Sequence, residues 1–197
     1  MPDAILRYYQ RLRDAHAIDA GLVIVSGTPS DRLLGLDPLL DQAKDCAILD
    51  IGCYAGAVSE AFARCGARLV HGVDFYRPGL EEARTRFQAY GAEARFERCD
   101  LSGGLPALKA ALPDLRATYD VVLYLGVHHH LKRQMTSEAM DAFLADIQSR
   151  TQYFAVRTTI DLLNELHGGL VGRGFNLWKE TDPAPRPLSP LRIYRRQ

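Results

Sequence analysis

The sequence predicts an open α/β sheet, mostly parallel, with helices on both faces and an antiparallel hairpin at its C-terminal end. Two observations carry this. From Cys46 onward, short apolar runs alternate with helix-length stretches at the spacing of βαβ units, which close as right-handed crossovers onto a parallel sheet. Near the C-terminus the pattern changes to two alternating runs, Phe175–Lys179 and Leu191–Arg195, joined by a Pro-rich connection from Pro183 to Pro190. Such runs suit an antiparallel sheet edge. A length of 197 residues fits one compact domain. Within it, residues 1–45 are expected to supply N-terminal helices that cover a pocket, and residues 46–197 the sheet domain.

The elements follow in order. Ile5, Tyr8, Tyr9, Leu12, Ala15 and Ile18 recur at helical spacing. The run Leu22–Val25 has no assignable place, and a turn follows at 26–30. Asp31 is a candidate cap for a short second helix through about Lys44. Cys46–Ile51 reads as a buried strand, 52–56 as a turn, and 57–65 as a helix closed by Gly66. Arg68–Asp74 is a second strand. Pro78 suits the first turn of a helix that runs to Tyr90 and stops at Gly91. Arg95–Asp100 is a third strand and Tyr119–Leu125 the most apolar one. A helix over Ser137–Ser149 leads into a fifth strand, Tyr153–Arg157.

Composition narrows the function. Apolar residues make up 47% of the chain, enough for a substantial core, and acidic and basic side chains balance to a formal net charge of zero. No whole-molecule field gathers polyanions, which argues against nucleic acid as the main substrate. Cys46, Cys53, Cys65 and Cys99 show no C-x-x-C spacing and read as buried free thiols of a reducing cytosol. The N-terminus lacks the apolar core of a signal peptide, and the longest apolar stretch is too short for a bilayer. A cytoplasmic protein with no membrane partner is expected. No internal repeat or low-complexity tract is visible.

In an open α/β sheet, ligands bind outside the carboxyl ends of the strands. Asp50, Asp74 and Asp100 all fall at such ends, the first inside a glycine turn. The turn Asp50-Ile51-Gly52-Cys53-Tyr54-Ala55-Gly56 resembles motif I of the class I S-adenosylmethionine (SAM)-dependent methyltransferases, and the resemblance extends from about Ile48 to Val156. It implies a Rossmann-like fold with SAM as cofactor and S-adenosylhomocysteine (SAH) as product. It also implies a cofactor site built from Asp50, Gly52, Cys53, Tyr54, Gly56, Asp74, Phe75, Asp100, Leu101 and Leu125. A missing Cβ at Gly52 lets backbone pass close to a ligand, and the following helix N-terminus suits the cofactor carboxylate. By the resemblance, Asp74 takes the ribose hydroxyls, Asp100 the adenine amine, and Phe75 and Leu101 sandwich the adenine. Tyr54 departs from the family, which usually has glycine there. A nicotinamide-binding unit would show G-x-G-x-x-G, which this turn lacks.

Methyl transfer from a sulfonium requires alignment and exclusion of water, and a hydroxyl acceptor also needs a base. The fourth strand ends in Leu125-Gly126-Val127-His128-His129-His130-Leu131, which resembles the "HHL" stretch after that strand in many small-molecule and RNA methyltransferases. His129 and His130 match the family pair. His129 is the first candidate base and His128 the second, against the plainer roles of capping or packing under the next helix. No metal site is expected, since three consecutive histidines cannot all reach one ion without strain. Arg157 faces the same sheet edge and is a candidate to bind an anionic acceptor, with a surface ion pair as its plainer role. The segment 167–174 reads as a mobile glycine-rich loop, and Arg192, Arg195 and Arg196 as a solvated strand edge. The expected activity is O-methylation of a small molecule, a sugar or a secondary metabolite. The alternatives are an RNA (tRNA)-modifying methyltransferase and a non-catalytic subunit of the same fold. The sequence leaves the oligomeric state open.

Overall fold

The computed structural model describes residues 31–181 and 189–197. The helix expected over residues 5–18 with Tyr8 and Tyr9, the run at 22–25, the turn at 26–30 and most of the Pro-rich connection lie outside the described residues. The remaining chain forms the expected mixed sheet. Its strands are β1 (Ala47–Ile51), β2 (Leu69–Asp74), β3 (Glu93–Arg98), β4 (Tyr119–Leu125), β5 (Thr151–Arg157), β6 (Phe175–Thr181) and β7 (Leu191–Arg196). They lie in the order β3-β2-β1-β4-β5-β7-β6. β1 to β5 are parallel, and β7 runs antiparallel to both β5 and β6. The order reverses between β1 and β4, the switch point where open α/β sheets bind ligands.

The helices are α1 (Asp37–Leu40), α2 (Ala57–Arg64), α3 (Arg77–Phe87), α4 (Gly104–Ala111), α5 (His128–Leu131), α6 (Ser137–Ser149) and α7 (Ile160–Gly172). They cover both faces because the central strands are apolar on both sides, as parallel strands require. Leu49, Val122, Tyr124, Phe154 and Val156 join Leu108, Phe143, Ile147 and Leu163 in one core cluster. Ile48, Val70, Leu123 and Ala155 join Phe62, Leu80, Ala83 and Phe96 in the other. Each large apolar side chain buried in this way contributes about 1.5–3 kcal/mol.

Four sequence expectations need correction. The second helix over 31–44 is broken: a 3-10 turn at Asp31–Leu33 ends before α1. Gly35 sits between them at φ +83°, where a Cβ would lie 2.2 Å from Thr181 Oγ1. The third strand begins at Glu93 and ends at Arg98, so Asp100 lies beyond it. The glycine-rich segment 167–174 is mostly helix: α7 reaches Gly172, and Leu163, Leu166 and Leu170 line its buried face. That apolar spacing outweighs the low helix propensity of Gly168, Gly169 and Gly172. The tail arginines are a solvated edge only in part: Arg195 is exposed, Arg196 is half-buried and Arg192 is buried. Arg192 pairs with Glu180 at 2.7 Å, Arg195 lies over the Tyr153 ring and Arg196 over Phe175. No helix among the described residues is long and apolar enough to cross a membrane.

Candidate functional site

The site begins where β1 ends. Gly52 leaves the strand at φ +79°, a conformation glycine adopts without penalty. Its missing Cβ also admits a side chain: a Cβ there would lie 2.3 Å from Val127 Cγ2. Val127 precedes the three histidines, so this contact seats the β4–α5 loop against the glycine loop. The β1 turn is held from below, with Gly52 N and Cys53 N both donating to Val73 O at 2.8 and 3.1 Å. The Cys53 side chain is buried in the core, where a Cβ on Gly72 would come within 2.9 Å of its sulfur. Gly56 caps α2 at φ +70°.

Asp50 lies one residue inside β1 and is buried, accepting the Ser59 hydroxyl from α2 at 2.5 Å. Burial pushes its carboxyl up from the ordinary 3.8 to about 6, and the neighbouring Asp74 charge adds to the push. The two carboxylates therefore share one electrostatic neighbourhood. A folded-state value above the unfolded one means that the wild type loses stability as pH rises from about 4 to about 6. Asp50→Asn, which retains an acceptor for Ser59, is expected to be more stable than wild type by about 2–3 kcal/mol above pH 6, converging with it near pH 4. Denaturant unfolding at the two pH values checks this. A gap independent of pH would show that Asp50 is not the titrating group.

Asp74 is the last residue of β2 and only 8% exposed. Each of its oxygens accepts one backbone N–H: Oδ2 from Tyr54 at 2.9 Å and Oδ1 from Tyr76 at 2.8 Å. Each oxygen keeps a second lone pair, so the carboxylate can accept two further donors, such as a pair of vicinal hydroxyls. Phe75, next in the chain, is 70% exposed, the most exposed of the large apolar side chains among the described residues. An aromatic face in water beside a fixed carboxylate fits a sugar carrying a planar base. Cys99 N donates to Asp74 O at 2.9 Å and so brings the β3 exit alongside. Asp100, expected at the strand tip, instead caps the 3-10 turn Leu101–Gly103. The Ser102 hydroxyl and amide hydrogen-bond to its carboxylate and hold its pKa below the ordinary range. Leu101, the first residue of that turn, and Leu125, the last of β4, are both buried.

Tyr54 holds φ +49°, rare for a residue with a side chain. Its ring stacks on Tyr76, with centroids 5.2 Å apart and planes 2° from parallel. Nothing in the sequence signals this pairing across 22 positions.

The histidines open α5. His128 is only 2% exposed, and its Nδ1 lies 3.3 Å from the Tyr124 hydroxyl; its Nε2 is buried with no hydrogen-bond partner among the described residues. His129 is half-buried and its ring lies against His130, with centroids 3.9 Å apart. Burial lowers the pKa of both His128 and His129, and the charges of His130 and Arg133 lower His129 further. Both shifts favour the neutral ring. Among the described residues, no group of three or more His, Cys, Asp or Glu is placed to hold a metal ion. Arg157, expected to form a surface ion pair, is buried and donates to Leu34 O at 2.6 Å. It ties the segment before α1 to the carboxyl edge of β5.

Comparisons with known proteins bear on the family and the fold. A family model described as "Methyltransferase domain" matches residues 48–147. The search of curated proteins finds no match. Among solved structures, magnesium protoporphyrin IX methyltransferase from Synechocystis PCC 6803, crystallised with bound SAM, aligns with a TM-score of 0.63. It is 21% identical and covers 96% of this chain and 91% of its own. A TehB-like SAM-dependent methyltransferase from Corynebacterium glutamicum aligns with a TM-score of 0.63 and 18% identity, over 100% of both chains. At these identities the likeness is one of fold.

Proposed function

The chain belongs to the methyltransferase domain family and is a SAM-dependent transferase of methyl groups, and from that premise we propose that its acceptor is the hydroxyl of a small molecule, with His129 as the base. The supporting observation is the seating of Val127 on Gly52, which sets the histidine turn directly beside the glycine loop. The residues present fit the cofactor. Asp74 has acceptor capacity left for the ribose hydroxyls and Phe75 offers an exposed face for the adenine, and on this reading Leu101 would take the other face and Asp100 the amine. Asp50 and the Gly52–Gly56 turn serve the amino-acid end. When bound, SAM supplies an electrophilic methyl group on a neutral leaving group.

The protein then has to orient the acceptor hydroxyl and take up its proton. His129 suits that task because its ring is only half-buried, whereas His128 is buried and its Nδ1 lies against the Tyr124 hydroxyl. A neutral imidazole is ready to accept a proton, and the lowered pKa keeps it so. The sign follows directly: activity is lost only when acid protonates the base. The acid limb of the kcat/KM profile is therefore expected below pH 6.5, the ordinary histidine value. A limb above 6.5 would exclude a histidine in this environment.

A transfer assay with methyl-labelled SAM tests the acceptor class. Label is expected in hydroxylated small molecules such as sugars and phenols. Net neutrality and the pairing of Arg192 with Glu180, with Arg196 packed over Phe175, favour a small acceptor over RNA. Incorporation into RNA, with binding that falls steeply with salt, would overturn the proposal.

A further inference from the structure

We propose that Tyr54 and Tyr76 form an aromatic clasp that positions the Asp74 carboxylate and thereby sets the affinity of the cofactor site. The inference rests on the reading of Asp74 as the ribose-binding residue. Tyr54 lies in the β1–α2 loop and Tyr76 in the β2–α3 loop. The backbone N–H of each donates to a different oxygen of Asp74, at 2.9 and 2.8 Å. The rings of the same two residues stack face to face, 5.2 Å apart and 2° from parallel. Two loops are thus joined twice around one carboxylate, once through their amides and once through their rings.

The surroundings are shaped to the clasp. A Cβ on Gly79, in the first turn of α3, would lie 3.0 Å from the Tyr54 carbonyl carbon and 3.2 Å from Tyr76 Cδ1. The bare glycine lets the Tyr54 backbone and the Tyr76 ring close onto the helix together. Tyr54 also holds φ +49°, where glycine would sit without strain. A bulky residue kept in that conformation implies that its ring does something glycine cannot. Stacking on Tyr76 is that function: it fixes the direction of the Tyr54 amide and so the plane of the carboxylate that receives the sugar hydroxyls. The two tyrosines are positioning residues and take no part in proton or methyl movement.

A double-mutant cycle read by calorimetric titration with SAH tests the clasp. Tyr54→Ala and Tyr76→Ala are each expected to weaken SAH binding about three- to tenfold, the size of one aromatic pair. The double variant is expected to lose little more than either single one, because the second change removes a stack already broken. Tyr54→Phe and Tyr76→Phe should keep wild-type affinity. In steady-state assays the alanine variants should raise the KM for SAM while kcat and the acceptor KM stay unchanged, a split that general destabilisation would not give. Leucine replaces alanine in the cycle if an alanine variant fails to fold. Unchanged affinity in the single variants, or losses that multiply in the double variant, would overturn the clasp. Asp74→Asn, titrated in parallel, separates the two levels. Loss of affinity there with intact tyrosine variants refutes the clasp alone, whereas wild-type affinity in Asp74→Asn refutes the ribose assignment beneath it.

Discussion

Asp74→Ala is expected to weaken SAM and SAH binding about a hundredfold or more, with the fold retained. Asp74 sits at the end of β2, held by two backbone amides from two different loops. A carboxylate fixed in this way needs no reorganisation to receive two ribose hydroxyls. Hydrogen bonds to a charged group contribute about 1.5–3 kcal/mol each, so the loss of two amounts to a factor of a hundred or above. The fold should survive because the carboxylate joins loops at the sheet edge and the core clusters lie elsewhere. The Tyr54 and Tyr76 amides can turn to water once it is gone. Calorimetric titration of wild type and variant with both ligands gives the comparison, and equal affinity would remove Asp74 from the site.

His129→Ala is expected to lower turnover by about 10²–10⁴-fold while cofactor affinity stays at the wild-type value. This is the range that positioned proton transfer usually contributes. His129 lies past β4 in α5, and Asp74 is held by the Tyr54 and Tyr76 amides, so removing the His129 ring is expected to leave Asp74 and Phe75 untouched. The loss should shrink for acidic acceptors such as nitrophenols, which are already ionised at neutral pH and need no base. His128→Ala should behave differently. That ring is enclosed against Tyr124, and its deletion opens a cavity whose cost appears in the melting temperature. Full turnover in His129→Ala would exclude it from the mechanism and leave His128 as the remaining candidate.

The sheet was legible in the sequence because its strands are continuous apolar runs separated by glycine or proline signals. Cys46–Ile51, Arg68–Asp74 and Tyr119–Leu125 differ from the observed strands by at most one residue. The C-terminal hairpin was legible by its change to alternation, although its place beside β5 depends on long-range pairing. α4 and α7 were missed because Gly103-Gly104-Leu-Pro and His-Gly-Gly resemble loop composition. Their helical state depends on burying Leu108 in one case and Leu163, Leu166 and Leu170 in the other.

Within the site, single-residue positions were readable and pairwise relations were not. Asp74 at a strand end follows from local pattern. The Tyr54–Tyr76 stack, the bond from Arg157 to Leu34 and the entry of Val127 into the space over Gly52 each join distant parts of the chain. The contrast between His128 and His129 was hidden for a different reason. Consecutive residues on one helical turn point about 100° apart, so one ring turns into the core and the next to the rim, and nothing in three identical letters says which.

A crystal structure with SAH bound tests the central claim most directly. The ribose hydroxyls are expected within hydrogen-bond distance of the two Asp74 oxygens, with the adenine lying on the Phe75 ring. An adenosine bound elsewhere on the sheet edge, with Asp74 still contacting only the Tyr54 and Tyr76 amides, would contradict it.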